Sequence, residues 1–536
     1  MISTVISTVI STVPATSVGD FSEPLRRLRL GFAFLFVVLL TGVGVCASVA
    51  SAHATADWVF TATHDVAPQS AELPAQQSAG QPAGQEVDQE AVGEHSETPP
   101  LWLVIPFVLL LLMIATGPLF YAHHWHHNYP KYALALGLFV SAYYIIGMGT
   151  ATPVMHAVQE YIAFIALVAS LFIAASGIYV KINARGVPIT NVAVLFCASL
   201  IANLIATTGA AMLFIRAFIR LNKGRVRPYH VVFFIFIVAN VGGALTPIGD
   251  PPLFLGFLRG VPFFWTAVHV WYIWLPTLAA LLLIFFVIDS RNKDRAADPE
   301  PGQPTITIDG KNSFIWILVI VSSVFLDPNV LSWVPRLNFG SVHLPFGIRE
   351  VIMLTAAVMA YRTADKSCLE RNEFTFEPIR EVGWLFLGIF ATMQPALATI
   401  ASFAQQNADS LTVDMFYWST GVLSAVLDNA PTYLNFLSAA MGKYMMDVND
   451  PQAVRAFAEN VAVSSQYVQA VSVAAVFFGA MTYIGNAPNF MVKAIAEAGG
   501  VETPSFVAYI AKYSLPILLP VFLVVYLVFF SGWLTP

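Results

Sequence analysis

Apolar runs of about 20 residues recur along the chain from Leu101 onward, separated by short polar loops. A run of this length lets an α-helix cross the hydrocarbon core of a bilayer. The pattern predicts ten crossings, near 101–121, 131–149, 152–180, 229–257, 263–289, 313–330, 346–362, 382–402, 462–490 and 506–530. With a further apolar run near the N-terminus, the chain is predicted to be an all-α integral membrane protein of about 10–11 transmembrane helices.

Two other apolar stretches, 189–220 and 412–440, carry polar residues at their centres. They are predicted to be re-entrant hairpins, which enter and leave the membrane on the same face. The distribution of charge supports this topology, because 20 of the 26 Lys and Arg residues then lie in cytoplasmic segments. Counting either hairpin as a full crossing would reverse part of that asymmetry.

The N-terminal 52 residues form an extension followed by an apolar run. Arg26, Arg27 and Arg29 precede this run, which ends in an Ala-x-Ala site at Ala52. The pattern is typical of a cleaved secretory signal, and an uncleaved first transmembrane helix is the alternative. Residues 53–99 contain no Lys or Arg and are predicted to be a disordered acidic linker outside the cytoplasm.

The composition agrees with a membrane location. Hydrophobic residues make up 57% of the chain and charged residues 11%, whereas soluble domains carry roughly 25% charged residues. The lipid bilayer is therefore an expected partner and nucleic acid is not. The three cysteines, Cys46, Cys197 and Cys368, indicate neither a disulfide framework nor a metal site. No cofactor is expected, and without an ATP-binding P-loop transport is expected to run on ion gradients.

The chain contains an internal duplication. GALTPIGDPPLF at 243–254 matches GAMTYIGNAPNF at 479–490 in seven of twelve positions, and the hairpin centres pair more loosely, 206–211 with 427–432. The predicted domains are a first repeat at 100–290, a cytoplasmic linker at 291–312 and a second repeat at 313–536. Because each repeat has five crossings, the second is expected to be inverted relative to the first, as in secondary transporters.

Each repeat carries helix breakers inside an apolar helix. Two adjacent glycines and two adjacent prolines predict that the first of these helices unwinds near Thr246–Asp250, and the second copy repeats the pattern at 485–488. An unwound segment survives within the membrane only where it is buried in protein or lines a site. The restarted half-helix can face an anion, and the freed carbonyls can hold a cation.

Two acids mark these predicted sites. Asp250 lies in the first broken helix and Asp428 at the tip of the second hairpin, whereas the first hairpin offers Thr207 and Thr208. Each acid could simply cap a half-helix. The alternative is that the carboxylates bind Na⁺ and H⁺ in competition, which is sufficient chemistry for an antiporter.

Glu160 and Glu381 occupy matching positions of the two halves, and His156 lies one turn before Glu160. These three residues are candidates for a proton relay or gate, and solvated acids at the membrane interface are the alternative.

At these motifs the chain resembles the ion transporter superfamily, which includes NhaD-type sodium:proton antiporters and carriers of citrate and dicarboxylates. NVGGALTPIGDPP and LDNAPT resemble the NhaD-type motifs, and GNAPNFMVKAIAEAGG resembles a branch described as citrate transport or sodium:proton antiport. The resemblance implies a scaffold domain that mediates homodimers and a mobile transport domain. It also implies ion or substrate contacts at Asn240, Thr246, Asp250, Asp428, Asn429, Thr482 and Asn486.

The chain departs from these families at two points. Thr207-Thr208 stands where NhaD-type antiporters have an Asp-Asn pair, and the Ser-Asn-Thr signature of the dicarboxylate carriers is absent. The complete set of candidate ion- or substrate-binding residues is Thr207, Thr208, Asn240, Gly242, Gly243, Thr246, Gly249, Asp250, Asp428, Asn429, Thr432, Thr482, Gly485, Asn486 and Asn489.

Three functions follow from these features. The main hypothesis is a sodium:proton antiporter of the inner membrane, which transports small ions. The alternative is a sodium- or proton-coupled carrier of citrate or another small organic anion. A membrane di-iron enzyme is a distant alternative, because the cluster His123–His127 contains one His-x-x-His-His box and such enzymes need several.

Overall fold

The computed structural model describes residues 99–299, 301, 305–327, 334, 338–339, 342–343 and 347–531. The predicted signal or first helix and nearly all of the acidic linker, up to residue 98, lie outside these described residues.

Helices dominate the described chain, which confirms the predicted all-α class. The first half contains α1 (Ile105–Phe120), α2 (Ala122–Ala142), α3 (Thr152–Ser176), α4 (Pro188–Leu221), α5 (Pro228–Ile237), α6 (Pro251–Arg259) and α7 (Trp265–Asp289). The second half contains α8 (Asn312–Ser323), α9 (Ile348–Thr363), α10 (Lys366–Arg371), α11 (Glu377–Gln406), α12 (Val413–Val426), α13 (Asn429–Lys443), α14 (Pro451–Glu459), α15 (Ser465–Phe478), α16 (Ala487–Ala498), α17 (Phe506–Tyr509) and α18 (Leu519–Phe529).

Short segments of other helix types connect these elements. The 3₁₀ turns are Leu101–Val104, Val241–Gly243, Ala408–Ser410 and Gly479–Met481. The π-helical segments are Tyr143–Gly147, which extends α2, and Ile510–Leu518, which joins α17 to α18.

Several helices have the length and hydropathy of membrane spans, which supports a multi-pass membrane protein. Six described helices meet both conditions: His123–Gly147, Thr152–Ser176, Pro188–Leu221, Trp265–Asp289, Glu377–Gln406 and Phe506–Phe529. Shorter apolar helices lie at four other predicted crossings: Leu101–Gly117, Pro228–Gly243, Asn312–Ser323 and Ser465–Met481.

The long helix α4 turns back on itself, and we call it the first hairpin. Its backbone leaves the helical region at Ile205 and Ala206, and Ala206 has a φ of 64°. Asn191 near its start and Asn222 just past its end exchange two hydrogen bonds of 2.8 Å. A straight helix would hold these two residues roughly 46 Å apart. The predicted hairpin is therefore present, with both of its ends on one side of the molecule.

Helices α12 and α13 form the second hairpin. Lys443, at the end of α13, donates hydrogen bonds of 2.8 Å and 2.7 Å to the carbonyls of Ala408 and Leu411, which lie just before α12. The two ends of this segment therefore also meet, as predicted. Its turn at Leu427 and Asp428 has extended backbone between the two helices.

Both predicted broken helices are present. The first break, residues 238–250, separates α5 from α6, and the second break, residues 479–486, separates α15 from α16. The first break begins eight residues before the predicted start at Thr246. The reason is local: the side chain of Asn240 donates to the carbonyl of Ile235 at 2.9 Å, which competes with continued helix.

The described strands are short and lie in connecting segments. β1 (Tyr179–Ile182) pairs antiparallel with β2 (Ile306–Asp309), and β3 (Asn338–Phe339) pairs with β4 (Val342–His343). The β1–β2 pair joins two loops that the charge pattern places in the cytoplasm, so both lie on one face of the molecule. Arg371, from a third such loop, forms a salt bridge of 3.0 Å with Asp309.

Small residues allow close packing between α11 and α2. A Cβ atom added to Gly388 would lie 2.8 Å from the Cβ of Ala133 and 2.9 Å from a methyl group of Leu110. The same atom added to Gly383, on the same helix, would meet only Tyr161 and Ile165, at 3.7 Å and 3.8 Å. Close helix contacts through small residues are a common source of packing energy in membranes.

We expect Gly388→Ala to destabilise the protein by about 1–3 kcal/mol, because the added methyl group overpacks the α2–α11 contact. Gly383→Ala is the matched control and should be neutral or stabilising, since alanine gains up to about 1 kcal/mol of helix propensity over glycine. Thermal unfolding of the detergent-solubilised full chain measures both. Equal melting temperatures for the two variants would contradict the described packing.

Candidate functional site

Four helices begin around one carboxylate. Asp250 precedes α6 and Asn486 precedes α16, while Thr207 begins the second arm of the first hairpin and Asn429 begins α13. The Asp250 carboxylate accepts three hydrogen bonds: one of 3.0 Å from Thr207 Oγ1, one of 2.7 Å from Asn429 Nδ2 and one of 3.1 Å from Asn486 Nδ2. The structure therefore brings together four predicted site residues, one from each hairpin and one from each break.

The four side chains are buried, each with at most 1% of its surface exposed. The hydrogen bonds to the Asp250 carboxylate described here come from neutral groups, two amides and one hydroxyl. Asp250 and Asn486 occupy N-cap positions, but neither side chain caps its own helix. Capping therefore does not account for Asp250, whose carboxylate instead accepts hydrogen bonds from Thr207 in its own half and from Asn429 and Asn486 in the other half.

The helix beginnings supply an electrostatic environment for this acid. The N-terminus of a helix carries a partial charge of roughly +0.5. Four such ends around Asp250 favour its ionised form, and no Arg or Lys is among its hydrogen-bond donors in the described part of the chain. The arrangement is the intramembrane equivalent of an anion held at a helix terminus.

Hydrogen-bond acceptors outnumber donors at the centre of the site. The amide NH₂ of Asn486 faces three acceptors: Asp250 Oδ1 at 3.1 Å, and Asn240 Oδ1 and the carbonyl of Ala239, both at 3.2 Å. An amide has only two hydrogens to donate. The buried Oδ1 of Asn429 also has no hydrogen-bond partner within the described residues. A proton or a small cation would satisfy this surplus of oxygen atoms.

Asp428 has a different environment. Its carboxylate accepts a hydrogen bond of 3.0 Å from the backbone amide of Ala430, so it caps α13, as the simpler interpretation of this residue proposed. It is half-buried and lies close enough to Asp250 for the two charges to repel. Thr432 donates to the carbonyl of Asp428 at 2.9 Å and is not among the groups that contact Asp250.

Each break is tied to its own hairpin by the same contact. Thr246 Oγ1 donates to the carbonyl of Asn203 at 2.6 Å, and Thr482 Oγ1 donates to the carbonyl of Ala425 at 2.6 Å. Because both repeats make the same bond, Asn203 is the structural equivalent of Ala425. Thr207 follows Asn203 by the same interval as Asn429 follows Ala425, so these two residues are also equivalent. The sequence pairing of 206–211 with 427–432 is therefore wrong by one residue. The loose similarity of the hairpins could not determine this register, whereas the backbone contacts do.

Glycines let each break fold back on itself. A Cβ atom on Gly249 would collide with the carbonyl of Gly243, and one on Gly485 would lie 2.7 Å from the carbonyl oxygen of Gly479. Gly242 lies as closely against the first hairpin. The glycines among the candidate site residues thus permit backbone contacts, and none of them supplies a side-chain ligand.

The two breaks are also joined to each other. Asn240 Nδ2 donates to Asn489 Oδ1 at 2.7 Å, and Asn489 Nδ2 donates to the carbonyls of Gly479 and Thr482 at 2.8 Å and 2.9 Å. Both asparagines are fully buried. They therefore position the two breaks against each other and do not contact Asp250 directly.

Two side chains outside the breaks satisfy carbonyls that the unwound backbone frees. Trp274 Nε1 donates to the carbonyl of Val241, and the Tyr509 hydroxyl donates to the carbonyl of Ala480, both at 2.8 Å. Each donor comes from the helix after the half-helix that follows its break, α7 in the first repeat and α17 in the second. These contacts bury the breaks in protein, as an irregular backbone within a membrane requires.

Asn203 is a site residue that the sequence analysis missed. Its Oδ1 accepts from the backbone amide of Leu245 at 2.9 Å, and its Nδ2 donates to the carbonyl of Gly242 at 2.6 Å. The available signal was an amide side chain in an apolar stretch, one turn before Thr207. Such an isolated amide needs buried partners, and the first break supplies them.

A small cavity adjoins Asp250. It offers about 20 Å³, which is room for about one water molecule. Apolar side chains of α3, including Leu167 and Phe164, form one wall, and Thr208 and Phe254 lie on the other side. Thr208 thus lies beside the site, although its side chain is only half-buried.

The three candidate relay residues do not meet. Glu160 is paired with Arg259, whose Nη2 donates to Glu160 Oε2 at 3.0 Å, and not with His156. Arg259, which was not among the candidate site residues, is 4% exposed. Glu381 lies on α11, within electrostatic range of His126. A continuous relay through all three predicted residues is therefore not present.

The histidine cluster lies along the start of α2. His124 Nε2 shares a hydrogen bond of 2.8 Å with the hydroxyl of Tyr132, and the rings of His123 and His127 are 4.8 Å apart. In the part of the chain that the structure describes, no three His, Cys, Asp or Glu side chains group in a way that could hold a metal.

Comparisons with known proteins match this architecture to one family. Residues 96–530 match the family model described as "Putative citrate transport". A search of the curated proteins finds no match. Because the family model covers most of the chain, including both hairpins and both breaks, the chain belongs to the family so described, and its architecture is that of a secondary transporter.

Proposed function

We propose that the protein is a sodium:proton antiporter of the cytoplasmic (inner) membrane, and that Asp250 binds the two cations in turn. The observation that carries this proposal is a buried carboxylate whose described hydrogen-bond donors are all neutral. A cation complements such a site, because a charged side chain in a membrane protein is normally paired or bound to an ion.

The residues at the site suit Na⁺. Hard cations prefer oxygen ligands, and the Asp250 carboxylate lies beside the unpartnered Oδ1 of Asn429. A bound proton neutralises the same carboxylate, so Na⁺ and H⁺ exclude each other. This competition produces exchange if the site moves its opening from one side of the membrane to the other only when it holds Na⁺ or H⁺.

Transport of citrate or another organic anion is the second candidate, and the family description favours it. Helix N-termini attract anions, and four of them meet at this site. Two observations support the exchange of small ions instead. The cavity beside Asp250 has room for about one water molecule, and no Lys or Arg is among the described hydrogen-bond donors to Asp250.

We expect Asp250→Asn to reduce sodium:proton exchange by about 100-fold or more, equivalent to roughly 2.8 kcal/mol, because the amide keeps the shape but cannot bind either cation as a counter-charge. The measurement is sodium-driven pH change in proteoliposomes that contain the full chain, with sodium-driven citrate uptake measured in parallel. Asp365→Asn is the control, since Asp365 is an exposed acid that caps α10. Citrate uptake by the wild type without proton exchange would overturn the antiporter proposal.

We expect Asp428→Asn to retain exchange within about tenfold of the wild type, because asparagine caps a helix as well as aspartate does. The apparent affinity for Na⁺ should fall, since a negative charge near Asp250 is lost. The sodium dependence of the initial rate measures this change. A loss of exchange as complete as that of Asp250→Asn would show that Asp428 binds the ion directly.

A further inference from the structure

The cavity beside Asp250 lies in the seam between α3 and α6. Phe164 on α3 and Phe254 on α6 are among the residues that line it. One turn from Phe164, towards the start of α3, is Glu160, and five residues beyond Phe254, at the end of α6, is Arg259. The charge pattern of the sequence places these ends of α3 and α6 on the extracytoplasmic side. The Glu160–Arg259 pair therefore closes that end of the seam.

This ion pair is enclosed in protein. Arg259 is 4% exposed and the Glu160 side chain 12% exposed. Arg259 also donates to the side chain of Asn449, an exposed residue of the loop that follows the second hairpin. Arg259 thus holds together α6, α3 and that loop just beneath the surface of the protein.

Helix α6 connects this pair to the proposed ion site. Asp250 immediately precedes the helix and Arg259 is its last residue, so the two ends are about 13 Å apart. A short helix transmits displacement as a rigid element. A movement of Asp250 on binding or releasing its ion therefore acts on Arg259, and release of Arg259 opens the seam above Asp250.

The second repeat lacks this pair. Glu381 is the sequence equivalent of Glu160, but the position of α16 that matches Arg259 is Ile495. The nearby Lys493 is paired within α16, to Glu497 at 2.6 Å. Within the described residues, the salt bridge between a half-helix and its neighbouring long helix is therefore present in the first repeat and absent from the second.

We propose that Arg259 and Glu160, with Asn449, form an extracytoplasmic gate that closes the α3–α6 seam over Asp250. This proposal rests on the proposed function in one respect, which is that Asp250 is the ion site. Of the three residues in this proposed gate, only Glu160 was among the candidate gate residues of the sequence, and Arg259 is the partner that gives it this role. Opening the route to Asp250 from outside requires the ion pair to separate, whereas the described residues of the second repeat contain no equivalent pair to break on the other face.

The test is labelling of a cysteine beside Asp250, which requires no knowledge of the substrate. Thr208→Cys is the reporter, in a full-length chain whose Cys46, Cys197 and Cys368 are replaced by serine. A membrane-impermeant thiol reagent is added from the extracytoplasmic side. Arg259→Ala should raise the labelling rate by about tenfold or more, because breaking a buried ion pair strongly disfavours the closed state.

Matched variants separate gating from damage to the fold. Arg349→Ala breaks another buried arginine pair, with Asp327 and Glu350, and should leave labelling unchanged. The exchange Glu160→Arg with Arg259→Glu should return labelling towards the parent rate. If Arg259→Ala does not reach the membrane, Glu160→Gln provides the test, and an increase of several-fold is expected.

Two results would overturn the gate: unchanged labelling in a folded Arg259→Ala or Glu160→Gln chain, or rapid external labelling already in the parent. Transport assays on vesicles that contain the unmodified chain keep the two proposals distinct. Absence of sodium:proton exchange with gated labelling would reject the antiporter and retain the gate. Sodium:proton exchange together with a labelling rate that the gate variants do not change would retain the antiporter and reject the gate.

Discussion

The structure depends on one electrostatic constraint, which is that a carboxylate buried within a membrane protein needs compensation. Asp250 obtains it from four helix N-termini and three neutral donors, and not from a basic side chain. This explains why both helices must break and both hairpins must turn at the same depth, because only a helix that begins at mid-membrane can direct its N-terminus there. The glycines and prolines that weaken these helices are therefore a requirement of the site.

The internal duplication is the means by which four helix beginnings meet. One repeat supplies two, from its hairpin and its break, and two repeats facing each other supply four. The substitutions between the copies then give the site its chemistry. Asp250 is matched by Asn486 and Thr207 by Asn429, so one acid is surrounded by three donors at equivalent positions. Two acids at the matched positions 250 and 486 would repel each other, whereas two amides would offer a cation no counter-charge.

The sequence was sufficient to predict the features that backbone chemistry controls. Paired prolines and glycines can be tolerated in an apolar helix only at a break, and polar centres in apolar stretches required the hairpins. Features that depend on tertiary packing could not be predicted. Loose similarity between hairpins could not show that Asn429 and not Asp428 contacts Asp250, since one residue of register changes which side chain faces the site. The partner of Glu160 was hidden as well, because Arg259 is 99 residues away.

The same asymmetry that gives the site one charge also distinguishes the two faces of the protein. Two identical inverted repeats would form identical barriers on both sides of Asp250. Here, within the described residues, one barrier contains a buried salt bridge and the equivalent position of the other contains Ile495. Separating a buried ion pair costs more than sliding apolar surfaces apart. The free energy of the empty site is therefore expected to differ between its two orientations, and the orientation in which the ion pair is closed is the more stable one.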